Sequence, residues 1–215
     1  MYNKSKMPGW NIHLEVGERV AKRMKLSGKK KAEFLLGCLL PDINNGYVNN
    51  VKVVKEHGET HWAFDEKSSL NFYAKYREKI EEREPIYVGY LLHLYTDGYF
   101  NYHFYHHVKR TTIGVDLDHT AKQKIKHNDF WIYDAKYAER VLEVADKESA
   151  AAKANEIQNV EIDAEDIADV ERIMRDDKFV KAVEGKKYIF YTERWLDELM
   201  DEMIESFLCK YLREE

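Results

Sequence analysis

Residues 85–108 read PIYVGYLLHLYTDGYFNYHFYHHV, and this stretch decides the fold. Pro85 suits the first turn of a helix, and apolar side chains follow on nearly every side of the helix that these residues would form. Because a helix that is apolar all round is normally buried, we expect this one at the centre of the molecule. His93 and Asp97 lie four residues apart within it and therefore share one helix face.

The segments on either side also follow helical spacing. Apolar residues recur every four positions early in the chain, at Ile12, Val16, Val20 and Met24, and again near its end, at Trp195, Leu199, Met203, Phe207 and Tyr211. No stretch of useful length alternates as a strand would, and no internal repeat is present. We predict an all-α, multi-helix bundle around the buried central helix. The polar, Ala-rich stretch DKESAAAKANEIQNVEID (146–163) is predicted to be a break between helices.

The length of 215 residues suits one domain, and a hydrophobic fraction of 44% is enough for one sizeable core. We predict a single all-helical domain over residues 1–215. Its candidate metal ligands all fall in a first part, 1–128. A helical C-terminal part, 129–215, follows.

Composition excludes several classes of function. The net charge of −5 and a pI near 6.0 argue against a nucleic-acid-binding protein. No run approaches the roughly 20 apolar residues of a membrane helix, and the start, MYNKSKMPGW, lacks the apolar region of a signal peptide. With two cysteines, the chain fits a reducing compartment. We expect a cytoplasmic protein with no specific nucleic-acid partner. The sequence leaves the oligomeric state open.

The pair His93 and Asp97 is the first candidate for chemistry. A buried charge is costly unless it is paired or bound to a metal, and imidazole and carboxylate both suit zinc. One His-xxx-Asp pair arises readily by chance, however. On spacing alone, a hydrogen-bonded pair in the core explains these two residues equally well.

Four ordered fragments resemble the zinc-dependent phospholipase C family, which shares its fold with single-strand-specific nucleases. The fragments are WNIH (10–13), GCLLPDI (37–43), THW (60–62) and GYLLHLYTD (89–97). The chain is most similar to the small, unexported bacterial members, which carry a Met-Pro-Gly-x-x-x-His stretch like residues 7–13. The resemblance covers about the first 105 residues.

The resemblance implies a cluster of one to three zinc ions, with iron or manganese as alternative metals. The implied ligands are His13, Asp42, His61, His93, Asp97 and His103. Asp97 matches a carboxylate that bridges two metals, and His103 matches a ligand of the remaining one. Two departures concern the other ligands. Trp10 is internal and has no free amine, and the later His-xxx-Glu of the family has only His119 and Gln123 as its nearest counterpart.

The function implied is a metal-dependent phosphoric ester hydrolase, with phospholipase C-like cleavage of a phosphodiester by metal-activated water. Asp42 is the candidate general base, and Glu59 is a weaker alternative. The expected substrate is a small phosphate ester or a lipid headgroup. One alternative is a non-catalytic metal-binding helical protein that keeps the family fold. Another, a phosphohydrolase of the HD type, needs an adjacent His-Asp doublet that this chain lacks.

Overall fold

The computed structural model describes residues 9–47, 51, 53–63, 67–108, 117–176 and 178–212. Within these ranges every regular element is helical, which confirms the all-α class. The helices are α1 (Trp10–Arg23), α2 (Gly28–Gly37), α3 (Leu40–Asp42), α4 (His57–Thr60), α5 (Ser68–Glu81), α6 (Pro85–Val108), α7 (His119–Ala135), α8 (Lys147–Ala154), α9 (Ala164–Met174), α10 (Lys178–Val183) and α11 (Glu193–Tyr211). A wide helical turn, Ile43–Tyr47, continues from α3.

Helix α6 carries the His-xxx-Asp pair and is the longest of these elements. It begins at Pro85, whose missing N–H has no helical partner to lose at that position. Every residue from Pro85 to Leu94 is buried, whereas beyond Thr96 only Phe100, Phe104 and Val108 are. The helix contacts α1, α2, α3, α5 and α11. It is therefore enclosed over its first half and packed on one face over its second. No helix in the described ranges is both long and apolar enough to cross a bilayer.

Helices α2 and α6 cross in backbone contact at two glycines. A Cβ on Gly89 would overlap the carbonyl oxygen of Phe34, and a Cβ on Gly37 would overlap that of Ile86. Because neither glycine has a side chain, the two backbones can approach this closely. The crossing places Cys38, the residue after α2, beside the turn of α6 that contains His93.

The later helices pack back onto the earlier ones. Helices α7 and α11 contact α1, α11 also contacts α6, and buried side chains from both parts of the chain form one contiguous core. This arrangement favours the expected single domain over residues 1–215, which stays a prediction.

The Ala-rich stretch was predicted to be a break, and for its first half this is wrong. Residues Lys147–Ala154 form α8, with Asp146 as N-cap accepting from the Ser149 amide. Ala is the strongest helix former, and Asp is among the best N-caps. Ala150 and Ala154 are buried against the core, so the segment is a short packed helix.

Candidate metal centre

Five of the six predicted ligands converge in space. They come from α1 (His13), the end of α3 (Asp42), the residue after α4 (His61) and α6 (His93 and Asp97). Four of them are at most 3% exposed, whereas the side chain of Asp97 is 17% exposed. The cluster is therefore buried and reaches solvent on the Asp97 side.

The converging side chains form two overlapping donor groups. One contains His13, His93 and Asp97, and the other contains Asp42, His61 and His93. In each group the donor atoms all lie within 4.8 Å of one another. Imidazole nitrogens and carboxylate oxygens at such separations are the donors that zinc takes in proteins.

Asp97 presents its two carboxylate oxygens to different imidazoles. Oδ1 lies 3.3 Å from Nε2 of His13, whereas Oδ2 lies 3.5 Å from Nε2 of His61 and 3.6 Å from Nε2 of His93. Burial by itself would raise the pKa of Asp97, but the neighbouring imidazoles, His93 foremost, hold it well below its ordinary value. Asp97 is therefore an anion placed between two sets of donors, as a bridging ligand would be.

The ring of His93 is oriented by the backbone of α2. Its Nδ1 lies 2.7 Å from the carbonyl oxygen of Cys38, which accepts the proton of that nitrogen. The lone pair of Nε2 then faces the cluster, where Nε2 of His61 lies 3.2 Å away. Burial, together with the neighbouring imidazole of His13, holds the pKa of His93 well below its ordinary value. The ring is therefore neutral, which is the form that binds metal.

His61 is held by a chain of hydrogen bonds through Thr60. The Thr60 hydroxyl donates to the carbonyl of His57 at 3.4 Å and lies 2.9 Å from Nδ1 of His61. It also accepts from the Asn45 amide at 2.8 Å, and the Tyr90 hydroxyl donates to the Thr60 carbonyl. With Nδ1 of His61 donating to Thr60, its Nε2 is left as an acceptor that faces Asp42 and Asp97.

Asp42 is held by the indole of Trp10. Trp10 Nε1 donates to Oδ2 of Asp42 at 3.0 Å, while Oδ1 lies 3.5 Å from Nε2 of His61. Burial raises the pKa of Asp42 to about 6, although its electrostatic interaction with the neighbouring His61 opposes that rise. Trp10 is therefore part of the centre through its side chain, a contact that the sequence analysis missed.

The surroundings of His13 show whether a metal ion fits this cluster. Its ring stacks on that of His93, with centroids 3.9 Å apart and planes 10° from parallel. Among the described residues, neither of its ring nitrogens has a hydrogen-bond partner, although both are buried. Buried polar atoms are rarely left unsatisfied in this way. An imidazole that makes no hydrogen bond to the described residues, with Nε2 3.3 Å from a carboxylate oxygen and a second imidazole nitrogen within 4.8 Å of its donor atom, fits a zinc ion.

His103 was also predicted to be a ligand, but the structure does not bring it to either donor group. Helix α6 continues without interruption past Asp97, so a residue six positions later points about 120° away around the helix axis. The ring of His103 instead stacks on that of Tyr99, with centroids 4.3 Å apart.

Three further candidates lie outside the cluster. Glu59 is exposed, and its Oε2 accepts from the Glu56 amide at 2.9 Å in the capping box of α4. His119 is exposed on the first turn of α7, and Gln123 donates to the hydroxyl of Tyr105. Glu59 therefore has a local structural role, and α7 adds no metal-binding His-xxx-Glu pair. Met7 and Pro8 of the N-terminal stretch lie outside the described residues.

Two buried charges on α7 border the centre. The carboxylate of Asp134 accepts from the Ile12 amide at 3.0 Å and from the Asn11 side chain at 2.9 Å, and so fixes the first turn of α1 just before His13.

Lys126 is 6% exposed and donates to Asn101, one turn beyond Asp97 on α6. Burial lowers the pKa of Lys126 to about 8, and the charge of Asp97 opposes that fall. Neither residue shows a spacing pattern that sequence analysis could use.

The chain is similar to a known protein family over most of its length. A family model described as zinc dependent phospholipase C matches residues 12–215, a range that contains all five converging residues. No curated protein matches the chain, and no solved structure does.

Proposed function

The chain belongs to the zinc-dependent phospholipase C family, and we propose that it cleaves phosphodiesters at the cluster described above. The family assignment makes zinc its cofactor and metal-dependent phospholipase-type hydrolysis its general activity. What we propose beyond this is that the bond cleaved is a phosphodiester and that the residues named below perform the cleavage.

We propose that these ligands hold two ions. Nε2 of His93 is the only nitrogen of that ring left free by the Cys38 carbonyl, so it would serve one ion. Asp42, His61 and Oδ2 of Asp97 would hold the same ion, and His13 and Oδ1 of Asp97 would hold the second. When bound, zinc supplies positive charge that screens the phosphate and lowers the pKa of a coordinated water toward about 7.

The observation that carries the proposal is the position of Asp97. It is the most exposed member of the cluster, and its two oxygens face separate donor sets. A phosphate ester that reaches the cluster on this side meets both sets of donors. The pKa of His93 is held well below its ordinary value, so this imidazole is neutral and leaves its Nε2 free to bind metal.

Asp42 is the residue that we propose to accept the proton of the attacking water, with one of its carboxylate oxygens staying off the metal. Its Oδ1 faces the cluster, while the Trp10 indole holds Oδ2 and so fixes the plane of the carboxylate. Burial disfavours the charged form of this carboxylate, which makes it more basic than an exposed aspartate.

The family suggests a lipid or another phosphate ester as substrate. We propose a phosphodiester, either a lipid headgroup or a small soluble ester. The test uses purified zinc-loaded protein with three probes: bis(p-nitrophenyl) phosphate, p-nitrophenyl phosphate and phosphatidylcholine vesicles. We expect hydrolysis of at least one diester and little of the monoester. We also expect activity to disappear with EDTA and to return with zinc.

Asp42→Asn tests the proposed base at a residue that is also a proposed metal ligand, so the comparison uses variant protein that still holds zinc. We expect the rate of diester hydrolysis to fall by at least about 100-fold. Zinc content, measured by elemental analysis on the same sample, is the control for metal loss. Protein that binds zinc stoichiometrically but hydrolyses none of the three probes would instead favour the non-catalytic metal-binding alternative.

A further inference from the structure

Lys126 is a buried ammonium that the proposed reaction does not yet use. It projects from α7 toward α6, is 6% exposed, and donates a hydrogen bond to Oδ1 of Asn101. Its Nζ lies 5.4 Å from the centroid of the Phe104 ring and 5.8 Å from that of Tyr105. The amine is therefore held in a defined position between an amide and two aromatic rings.

The charge of Lys126 has no direct counterion among the residues that the structure describes. Its hydrogen-bond partner, Asn101, is neutral, and none of the described carboxylates lies within ion-pair distance of Nζ. The carboxylate that stabilises it from farther away is Asp97. Because a buried charge without a partner is costly, a buried lysine beside a neutral amide is unusual and needs an explanation.

The proposed metal centre would leave the positive charge of Lys126 even less compensated. Asn101 follows Asp97 by four residues, so both side chains share one face of α6, and Lys126 is near enough to Asp97 for that carboxylate to stabilise the ammonium. Once Asp97 shares its charge with metal ions, its stabilising effect on Lys126 is largely neutralised. The ammonium then adds positive charge at the same edge, where an oxyanion would be attracted.

We propose that Lys126 binds a non-bridging oxygen of the substrate phosphate and so selects anionic phosphate esters. The assignment rests on the proposed function, because it places the phosphate at the Asp97 side of the cluster. Asn101 is the positioning residue: its Oδ1 holds the ammonium without neutralising it. A charge-assisted hydrogen bond of this kind contributes enough to change affinity by at least about tenfold.

Binding of inorganic phosphate to the zinc-loaded protein tests the proposal by calorimetry, without requiring turnover. We expect Lys126→Gln to weaken phosphate binding by at least about tenfold while zinc content stays at the wild-type value. Lys126→Arg, which keeps the charge, should stay within about threefold of the wild type. Unchanged affinity in a zinc-loaded Lys126→Gln would overturn the proposal, and so would loss of zinc from that variant.

Asn101→Asp keeps the proposal testable if Lys126→Gln does not fold. The new carboxylate is nearly the same size as the amide and forms an ion pair with Lys126, so the packing of the lysine stem is kept. We expect phosphate binding to weaken by at least about tenfold because the ammonium is then neutralised. Affinity equal to that of the wild type in Asn101→Asp would contradict the assignment.

Two further probes separate the sources of the phosphate. Dimethyl phosphate represents a soluble ester, and phosphatidylcholine vesicles represent a lipid headgroup. If Lys126→Gln binds either probe more weakly than the wild type does, the proposal is supported and that probe identifies the source of the phosphate. If the variant and the wild type bind both probes equally well, the proposal is overturned. Wild-type protein that binds phosphate through Lys126 but hydrolyses no ester would contradict only the proposed function.

Discussion

His93 is the side chain that both donor groups share. Its Nδ1 is tied to the Cys38 carbonyl and its Nε2 faces the cluster, so no other ring nitrogen in the group has its place fixed so directly by the backbone. We expect His93→Ala to lose most of its zinc, as measured by elemental analysis after purification without chelator.

His103→Ala is the matched control for that experiment. It removes the same type of side chain from the same helix, but from a position outside both donor groups. We expect zinc content equal to that of the wild type. Equal loss from both variants would restore His103 as a ligand, and full retention in both would contradict the metal centre.

Asp134 makes the stability of the protein depend on pH. Burial raises its pKa from 3.8 to about 6, so the folded chain binds this proton more tightly than the unfolded chain. The resulting stabilisation is complete below about pH 4 and is lost as pH rises through about 6, to a total of at most about 3 kcal/mol. Asp134→Asn cannot lose a proton and lacks this contribution.

The measurement is the free energy of unfolding of both metal-free proteins between pH 4 and pH 7.5. We expect the wild-type value minus the Asp134→Asn value to fall as pH rises, with most of the change between about pH 4 and 6.5. A difference that is constant with pH, or that grows, would show that Asp134 is not held with a raised pKa.

At the level of single residues, the sequence predicted part of the site. Spacing alone placed His93 and Asp97 on one helix face, and resemblance to a family added three more residues that do converge with them. The Cys38 carbonyl, the Trp10 indole and Lys126 had no such signal. Each acts through a contact between distant segments, and a carbonyl, an indole or a single lysine looks the same in a sequence whether or not it faces the centre.

At the scale of elements, the crossing of α2 and α6 aligns the backbone carbonyl that orients His93. Gly89→Ala would place a methyl group against the carbonyl of Phe34 and push the two helices apart. We expect a loss of stability of about 1–3 kcal/mol, as for overpacking elsewhere, together with weaker zinc binding because the Cys38 carbonyl moves away from His93. Chemical denaturation and zinc titration measure the two effects.

Gly17→Ala is the control for Gly89→Ala. It also adds a methyl group to a helical glycine, but the nearest atoms are Cδ2 of Leu35 at 2.9 Å and Sγ of Cys38 at 3.1 Å, which belong to side chains and not to the backbone. We expect a change in stability within about 1 kcal/mol and unchanged zinc binding, because Ala favours a helix over Gly by about that amount. An equal loss in both variants would contradict the role given to the crossing.

Helical spacing predicted α1 and α11 because each has a long apolar face that packs against the core, whereas α6 was predicted from a run that is apolar on nearly every side. It failed for α8, where helix propensity and an N-cap act over eight residues without an apolar stripe long enough to recognise. Spacing also could not settle His103. Its direction depends on whether α6 continues past Asp97 or breaks there, and an apolar run is compatible with both.

Over the whole molecule, the centre joins segments that are far apart in the chain. Its residues come from positions 13 to 97, and they belong to α1, α3, α6 and the residue after α4. A ligand that binds only the folded chain stabilises it, by about 4 kcal/mol when its free concentration is 1,000 times its Kd. We therefore expect zinc to raise the Tm of the apoprotein by about 8–16 °C.

Differential scanning calorimetry with and without zinc measures this shift. His93→Ala provides the comparison, since it should keep the fold yet gain little from added zinc. A Tm that does not respond to zinc in the wild type would mean that no ion links these segments.

The position of Trp10 beside Asp42 also gives the protein a spectroscopic signal. Its indole N–H donates to the carboxylate of Asp42, so the emission of this indole responds to the charge on that carboxylate. Binding of metal at the centre should therefore change the intrinsic fluorescence of the unlabelled protein. Trp10→Phe should remove most of that change, although three other tryptophans remain. Metal uptake and release can then be followed by light, in real time and without an added dye.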